Sequence, residues 1–238
     1  MPDDERYNDI EQNINEVREK ISQAAVRAGR NPDDIHLMAV TKTVESRYIN
    51  HAISCGIDLI GENKVQEFLS KEPELNLQNC KAHLIGHLQS NKTKKIVGKV
   101  DVIQSVDSVS LANEIAKRSL EKDIVSKILL EINVGNEESK FGFDYDEIYE
   151  RVCEISEIEG ISVQGFMCVA PICDDKKVLR HIFSNMYRSY LDIASKKINN
   201  VNMNVLSMGM SGDYCEAVLE GANLVRVGSA IFGSRNYR

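Results

Sequence analysis

Eight short apolar runs recur along the chain, each followed by a stretch with helical spacing, and this alternation constrains the fold more than any other feature. The runs cover 35–41, 57–61, 82–86, 101–105, 126–134, 161–169, 203–207 and 223–227. Between them, helical spacing is read over 46–55, 63–71, 90–98, 108–120, 144–157, 175–197 and 212–220. Segments such as Ile128-Leu129-Leu130 and Leu224-Val225 are near-continuous apolar stretches, the pattern of parallel strands buried on both faces. Eight such strands separated by helices predict an α/β fold, a single (β/α)₈ barrel of the TIM type. The competing arrangement is an open doubly wound sheet, but no G-x-G-x-x-G follows the first strand. An extra N-terminal helix is predicted over 4–29. In it Ile10, Ile14, Val17, Ile21 and Ala25 recur every three or four residues, Gly29 ends it and Asn31-Pro32 blocks its continuation. No linker, repeat or low-complexity segment divides the chain, so residues 1–238 are expected to form one domain.

Composition narrows the function classes. A net charge of −7 and a pI of about 5.4 argue against a general nucleic-acid binder. One segment runs the other way: Lys81 to Lys99 holds five lysines and no acid, and it is read as a solvated helix face rather than a polyanion patch. The six cysteines, Cys55, Cys80, Cys153, Cys168, Cys173 and Cys215, form no C-x-x-C pair. They are expected to be reduced core residues of a cytoplasmic protein, without a zinc site. The opening Met1-Pro2-Asp3-Asp4-Glu5 is acidic rather than basic, so no signal peptide is expected. No run approaches the roughly 18 apolar residues of a membrane span.

Two pieces near the C-terminal end carry a phosphate-binding pattern. They are Ser207-Met208-Gly209-Met210-Ser211-Gly212-Asp213 and Arg226-Val227-Gly228-Ser229, each following an apolar run. Small residues there let backbone N–H groups approach an anion, and a helix start adds its positive dipole end. In an eight-strand barrel the phosphate site is expected after strands seven and eight, and the strand count puts Ser211 and Gly228 in those two loops. Lys42 closes the first apolar run, His36 to Lys42. At the barrel mouth, desolvation and nearby cations would free its amine for a Schiff base with a phosphorylated aldehyde. The ordinary alternative is a lysine whose stem packs while its head reaches solvent. Lys140, within an acidic loop, is a competing but less well ordered amine.

Other residues have two readings each. Arg226, two residues before Gly228, needs an acceptor if it faces the interior. It could pair with Glu131 or Asp213, or donate to a cofactor's pyridine nitrogen. Asn63 could reach the barrel mouth or cap the following helix. His83 and His87 sit on a strand and loop rather than on one helix face, which disfavours a metal pair. Met167 and Met208 are core or pocket-lining residues.

Seven blocks, in order along nearly the whole chain, together resemble the pyridoxal phosphate homeostasis protein family. They are Ala39-Val40-Thr41-Lys42-Thr43, Gly61-Glu62-Asn63 with Gln66-Glu67, and His83 through Lys92. They continue with Ser139-Lys140-Phe141-Gly142, Gly165-Phe166-Met167, Leu206 through Ser211, and Val225 through Gly233. The resemblance implies a barrel like the N-terminal domain of alanine racemase, holding pyridoxal 5′-phosphate as an internal aldimine on Lys42. It implies that Ser211, Gly212, Gly228 and Ser229 hold the phosphate and that Arg226 meets the pyridine nitrogen. Asn63, Met167 and Ser207 would line the pocket. Where this chain has Ser229, relatives often have threonine, and the hydroxyl is kept.

The resemblance implies a cofactor-binding protein without a known catalysed reaction, with PLP-dependent apoenzymes as possible recipients. The alternative reading is a PLP-dependent amino-acid racemase, which needs an acid/base group on each face of the substrate. Lys42 could serve one face. The second group in alanine racemase comes from another domain and a partner subunit, for which no segment follows strand eight, so a monomer is expected. A class I aldolase would carry its Schiff-base lysine later in the barrel.

Overall fold

The computed structural model describes residues 2–135 and 141–233. Lys140 and the Ser139-Lys140 part of its motif lie outside the described residues. In chain order the elements are α1 (Pro2–Arg27), β1 (His36–Val40), α2 (Ser46–Ser54), β2 (Leu59–Glu62), α3 (Val65–Lys71) and β3 (Lys81–Leu84). Next come α4 (Thr93–Ile96), β4 (Val102–Val106), α5 (Val109–Leu120), β5 (Ser126–Asn133), β6 (Phe143–Asp144) and α6 (Ile148–Ser156). The last are β7 (Ile161–Cys168), α7 (Lys176–Ser195), β8 (Val201–Ser207), α8 (Tyr214–Leu219), β9 (Leu224–Val227) and α9 (Ser229–Phe232).

All pairings are parallel. Strands run β1, β2, β3, β4, β5, β7, β8, β9 and return to β1, so eight strands close a barrel, with the two-residue β6 attached to the outer end of β5. Strand alternation sorts the side chains. Val225 and Val227 face the helices, while Leu224 faces inward and packs with Met38 and Leu59. A second inward cluster joins Val102, Leu129 and Met167.

The N-terminal helix fastens the closure from outside. Ile10, Ile14, Val17, Ile21 and Ala25 are all buried, as their spacing predicts. Each buried isoleucine contributes about 2 kcal/mol of apolar transfer. α1 lies across α2, α8 and α9. Polar bonds fix its position: Asn13 Nδ2 donates to Ile231 O at 3.0 Å, and the Arg18 guanidinium donates to Cys55 O and Gly56 O. Beyond the helix, Arg30 donates to Val218 O and Ala222 O at the end of α8.

The predicted elements are present, with edges shifted by a few residues. The 90–98 helix is the main reduction: a 3₁₀ turn, Ser90–Lys92, leads into the four-residue α4. Gly98, at φ 78°, ends this segment. β6 and α9 are too short to show a period. Between β8 and β9 the ladder is reduced to Ser207 opposite Leu224. Below it the Asn223 side chain stands in for strand pairing, accepting from Leu206 N and donating to Asn204 O, both at 2.7 Å.

Gly165 sits at the irregular point of the β7–β8 ladder with φ 137°. A Cβ there would lie 1.9 Å from Val205 O. Gly165→Ala is therefore predicted to cost about 3 kcal/mol or more, through strain and a split ladder. Urea unfolding measures this; a loss under about 1 kcal/mol would show that β7 and β8 can part without penalty.

Candidate functional site

The site is assembled where β1 meets β9. Met38 pairs with Arg226 and Ala39 with Val227, so Arg226 shares the inward face of Met38. Gly228 continues that row beside Val40: a Cβ added to it would lie 3.3 Å from Val40 Cβ. Lys42 follows two residues past the end of β1, half-buried at the C-terminal mouth. Past Val40 the chain still holds to β2 through Thr41, whose N–H donates to Gly61 O at 2.9 Å.

The two phosphate-pattern loops come together. Ser211 Oγ accepts from Gly228 N at 3.1 Å and from Ala230 N at 3.4 Å, so the loop after β8 rests on the backbone donors after β9. Gly209 makes this turn possible. It has φ 92°, and a Cβ there would lie 2.6 Å from Ala217 Cβ. The Asp213 side chain closes the loop by accepting from Met210 N. Gly212 is open, since a Cβ added there would meet no atom within 4 Å, and Ser229 is exposed.

Arg226 is buried and anchors a directed polar chain. Its NH1 donates to Ser207 Oγ at 2.6 Å and its NH2 to Cys168 O at 2.8 Å. Ser207 Oγ donates to Gln104 Oε1 at 2.7 Å, and Gln104 Nε2 reaches His83 Nδ1 at 2.8 Å. Burial presses the Arg226 guanidinium below the ordinary arginine range, and an arginine so shifted still remains charged. Neither Glu131 nor Asp213 forms a salt bridge with it. Both act at longer range, and burial raises the pKa of each carboxyl, Glu131's to about 7. The Asp107 charge adds to the rise at Glu131, and Arg226 opposes it. Burial lowers His83 to about 4, which fits a neutral ring accepting at Nδ1.

Asn63 does not cap α3. That position falls to Lys64, which makes no side-chain cap bond. Asn63 Oδ1 is instead buried with no hydrogen-bond partner. A buried acceptor left this way is costly, and a ligand donor would satisfy it. Gly86 fixes the Asn63 backbone, since a Cβ at position 86 would lie 2.3 Å from Asn63 O. Met167 is buried among Val102 and Leu129, and Met208 packs in the outer core. His87 forms an ion-pair geometry with Asp107 at 2.9 Å and stacks on Phe141 with ring centroids 3.8 Å apart. Among the described residues no group of His, Cys, Asp or Glu could hold a metal ion.

Thus the structure brings Lys42, Ser207, Ser211, Arg226 and Gly228 to one end of the barrel. Sequence reasoning missed Gln104 and the Glu62–Lys71 pair. The signal for Gln104 was a polar residue inside the apolar run Val102-Ile103-Gln104.

A family described as the alanine racemase N-terminal domain matches residues 7–236. A relative from Aquifex aeolicus, named pyridoxal phosphate homeostasis protein, is 38% identical over 94% of this chain and 97% of its own length. The chain belongs to the pyridoxal phosphate homeostasis protein family. The solved structure of PipY from Synechococcus elongatus, with PLP bound, aligns at a TM-score of 0.81 and 29% identity. The alignment covers 94% of this chain and 100% of PipY. Alanine racemase from Clostridium difficile aligns at a TM-score of 0.73, covering 96% of this chain and 60% of the enzyme; at 15% identity it shares the fold alone. The family's relatives are named for cofactor homeostasis rather than for a reaction.

The shifted groups in this barrel oppose each other in acid. Between about pH 4 and 6.5 the unfolded chain protonates His83 while the native state does not, so this histidine lowers stability as pH falls. Between 4.5 and about 7 the native state holds a proton on Glu131 that the unfolded chain releases, so this carboxyl raises stability as pH falls. Glu131→Gln removes the second effect and leaves the first. It is predicted to steepen the acid loss of stability by about 1 kcal/mol per pH unit. Urea unfolding of both proteins between pH 4.5 and 6.5 checks this; equal slopes would mean that Glu131 ionises as it does in the unfolded chain.

Proposed function

We propose that this chain binds pyridoxal 5′-phosphate and acts in its intracellular homeostasis, with Lys42 Nζ as the covalent anchor. The observation that carries the reading is the junction of Ser211 Oγ with the Gly228 and Ala230 amides, next to the β1 end that bears Lys42. The residues present fit the cofactor. Ser211, Gly212, Gly228 and Ser229 form phosphate loops kept open by glycine, with the Ser211 and Ser229 hydroxyls and the Gly212 and Ser229 amides as the donors and Gly228 N holding Ser211 Oγ. The orphaned Asn63 Oδ1 offers a buried acceptor to a ligand donor.

Arg226, held inward by Ser207, is the donor assigned to the pyridine nitrogen. A guanidinium can donate there but cannot give up its proton, so the nitrogen stays unprotonated. Met167 and Ser207 complete the lining. When bound, the cofactor supplies an electrophilic aldehyde and a ring whose electron-withdrawing power depends on that nitrogen. An unprotonated nitrogen makes a weak electron sink, which argues against a transaminase-like reaction. The names of the family's relatives support the same choice.

The finer parts of this reading are a monomer, a cytoplasmic location and delivery of the cofactor to PLP-dependent apoenzymes. Six free cysteines fit a reducing compartment. Among the described residues no helix is long and apolar enough to cross a membrane.

The test is the visible spectrum of purified protein incubated with PLP, followed by borohydride reduction and peptide mapping. A yellow protein carrying a phosphopyridoxyl group on Lys42 is expected. A colourless, unmodified protein would end the reading. Ser211→Ala is predicted to weaken PLP binding tenfold or more, the approximate worth of one hydrogen bond to a charged group. Titration by absorbance measures it, and unchanged affinity would move the phosphate elsewhere.

A further inference from the structure

Beside the turn that carries Lys42 lies a compact charged cluster with no assigned role. Lys71 Nζ donates to Thr41 O at 2.9 Å, to Glu62 Oε2 at 2.9 Å and to Glu67 Oε1 at 2.6 Å, which uses all three of its protons. Glu62 is only 2% exposed and Lys71 13%. Glu62 Oε2 also accepts from the Thr41 hydroxyl, and Glu62 Oε1 accepts from Asn63 N at 2.8 Å. Glu67 Oε1 accepts from Thr43 N.

These bonds act on two particular peptide groups. Thr41 O belongs to the peptide before the Lys42 Cα, and Thr43 N to the peptide after it. Fixing both planes fixes φ and ψ of Lys42 and so the direction in which its side chain leaves the backbone. The turn would not hold this shape unaided. Thr43 has φ 63°, a left-handed conformation that a β-branched residue adopts only under constraint. The cluster supplies the constraint. It also holds the Asn63 N–H, so the two polar residues of the mouth that come from β1 and β2 are set by one device.

We propose that Glu62, Lys71 and Glu67 are positioning residues that aim Lys42 at the bound cofactor. This rests on Lys42 being the PLP anchor. The cluster itself does not touch the cofactor; it acts through the backbone of residues 41–43 and 63. Desolvation alone would raise the Glu67 carboxyl, but bonds from Lys71 and Thr43 outweigh it and hold the group below the usual carboxylate range. Glu67 is thus charged at neutral pH and available to both donors.

Glu67→Ala is the informative variant, because Glu67 is only half-buried and its loss leaves the Glu62–Lys71 pair in place. Without cofactor, amide hydrogen exchange at Thr43 is expected to speed up at least tenfold, while exchange in β5 and β7 stays unchanged. With PLP, the visible band is expected to form about tenfold more slowly and with a shifted pH midpoint. Glu67→Gln, which keeps an oxygen acceptor for Thr43 N, is expected to restore Thr43 protection and most of the rate. Unchanged Thr43 exchange in Glu67→Ala would overturn the proposal. So would a band that forms at the wild-type rate and pH midpoint. If the wild-type protein itself forms no band with PLP, the anchor reading fails and the proposal, as a device for aiming Lys42 at the cofactor, falls with it. Faster Thr43 exchange together with a slowed, Gln-rescued band supports it.

Discussion

Closure of the sheet between β9 and β1 is the constraint on which the site depends. Met38 opposite Arg226 and Ala39 opposite Val227 fix a register that no local sequence signal specifies. Because side chains alternate with a period of two, a one-residue slip would turn Arg226 into the helix layer and leave Val225 or Val227 inside. The burial pattern makes that slip expensive, since it would place a guanidinium among Val218, Ala222 and Ile231. α1 reinforces the closure from the other side of the seam, with its apolar stripe on α8 and α9 and Arg30 on the end of α8. The helix that precedes the barrel and the arginine inside it therefore secure the same joint by different physics.

The interior of the barrel is polar in one direction only. The chain from Arg226 through Ser207 and Gln104 to His83 runs donor to acceptor at every step, and it ends on a neutral imidazole. A protonated His83 would have to face the Gln104 amide with two donors opposed, so the chain and the lowered histidine pKa imply one another. The carboxyls nearby are pushed the opposite way: burial raises Glu131 and Asp213 toward their neutral forms. Arg226 stays cationic, and the charges of Glu131 and Asp213 act on it only at longer range. The amides of Gly228 and Ala230 meanwhile hold Ser211 Oγ in place beside the mouth.

Much of this was legible in the sequence, for reasons that differ by element. The barrel could be read because parallel strands buried on both faces leave long apolar runs, as in Ile128-Leu129-Leu130, which any helix-and-strand count detects. The two loops proposed to hold phosphate could be read because glycine is required at Gly209 by a positive φ, while Gly228 sits in close contact with Val40. Asn63 was ambiguous because asparagine before an apolar helical stretch is also a capping signal; only the three-dimensional position, with Lys64 at the cap and Oδ1 buried, decides against capping. The Glu62–Lys71–Glu67 cluster was hidden for a different reason. Glu67 and Lys71, four apart on α3, look like an ordinary surface pair. That they enclose the carbonyl of Thr41 depends on β1 lying beside β2.

The anchor role proposed for Lys42 asks for more than a reactive amine. A lysine side chain has four rotatable bonds and loses up to about 2 kcal/mol of conformational entropy when held in one pose. If the backbone beneath it also wandered, the amine would sample a volume far larger than the reach of a bond-forming encounter. Here the peptide planes on both sides of the Lys42 Cα are tied to Lys71 and Glu67, and the left-handed conformation falls on Thr43 rather than on Lys42. Bond formation then has to order the side chain but not the turn beneath it. The reversible holding proposed above would be served by such a backbone, because the amine would return to the same place after each release without waiting for the turn to re-form.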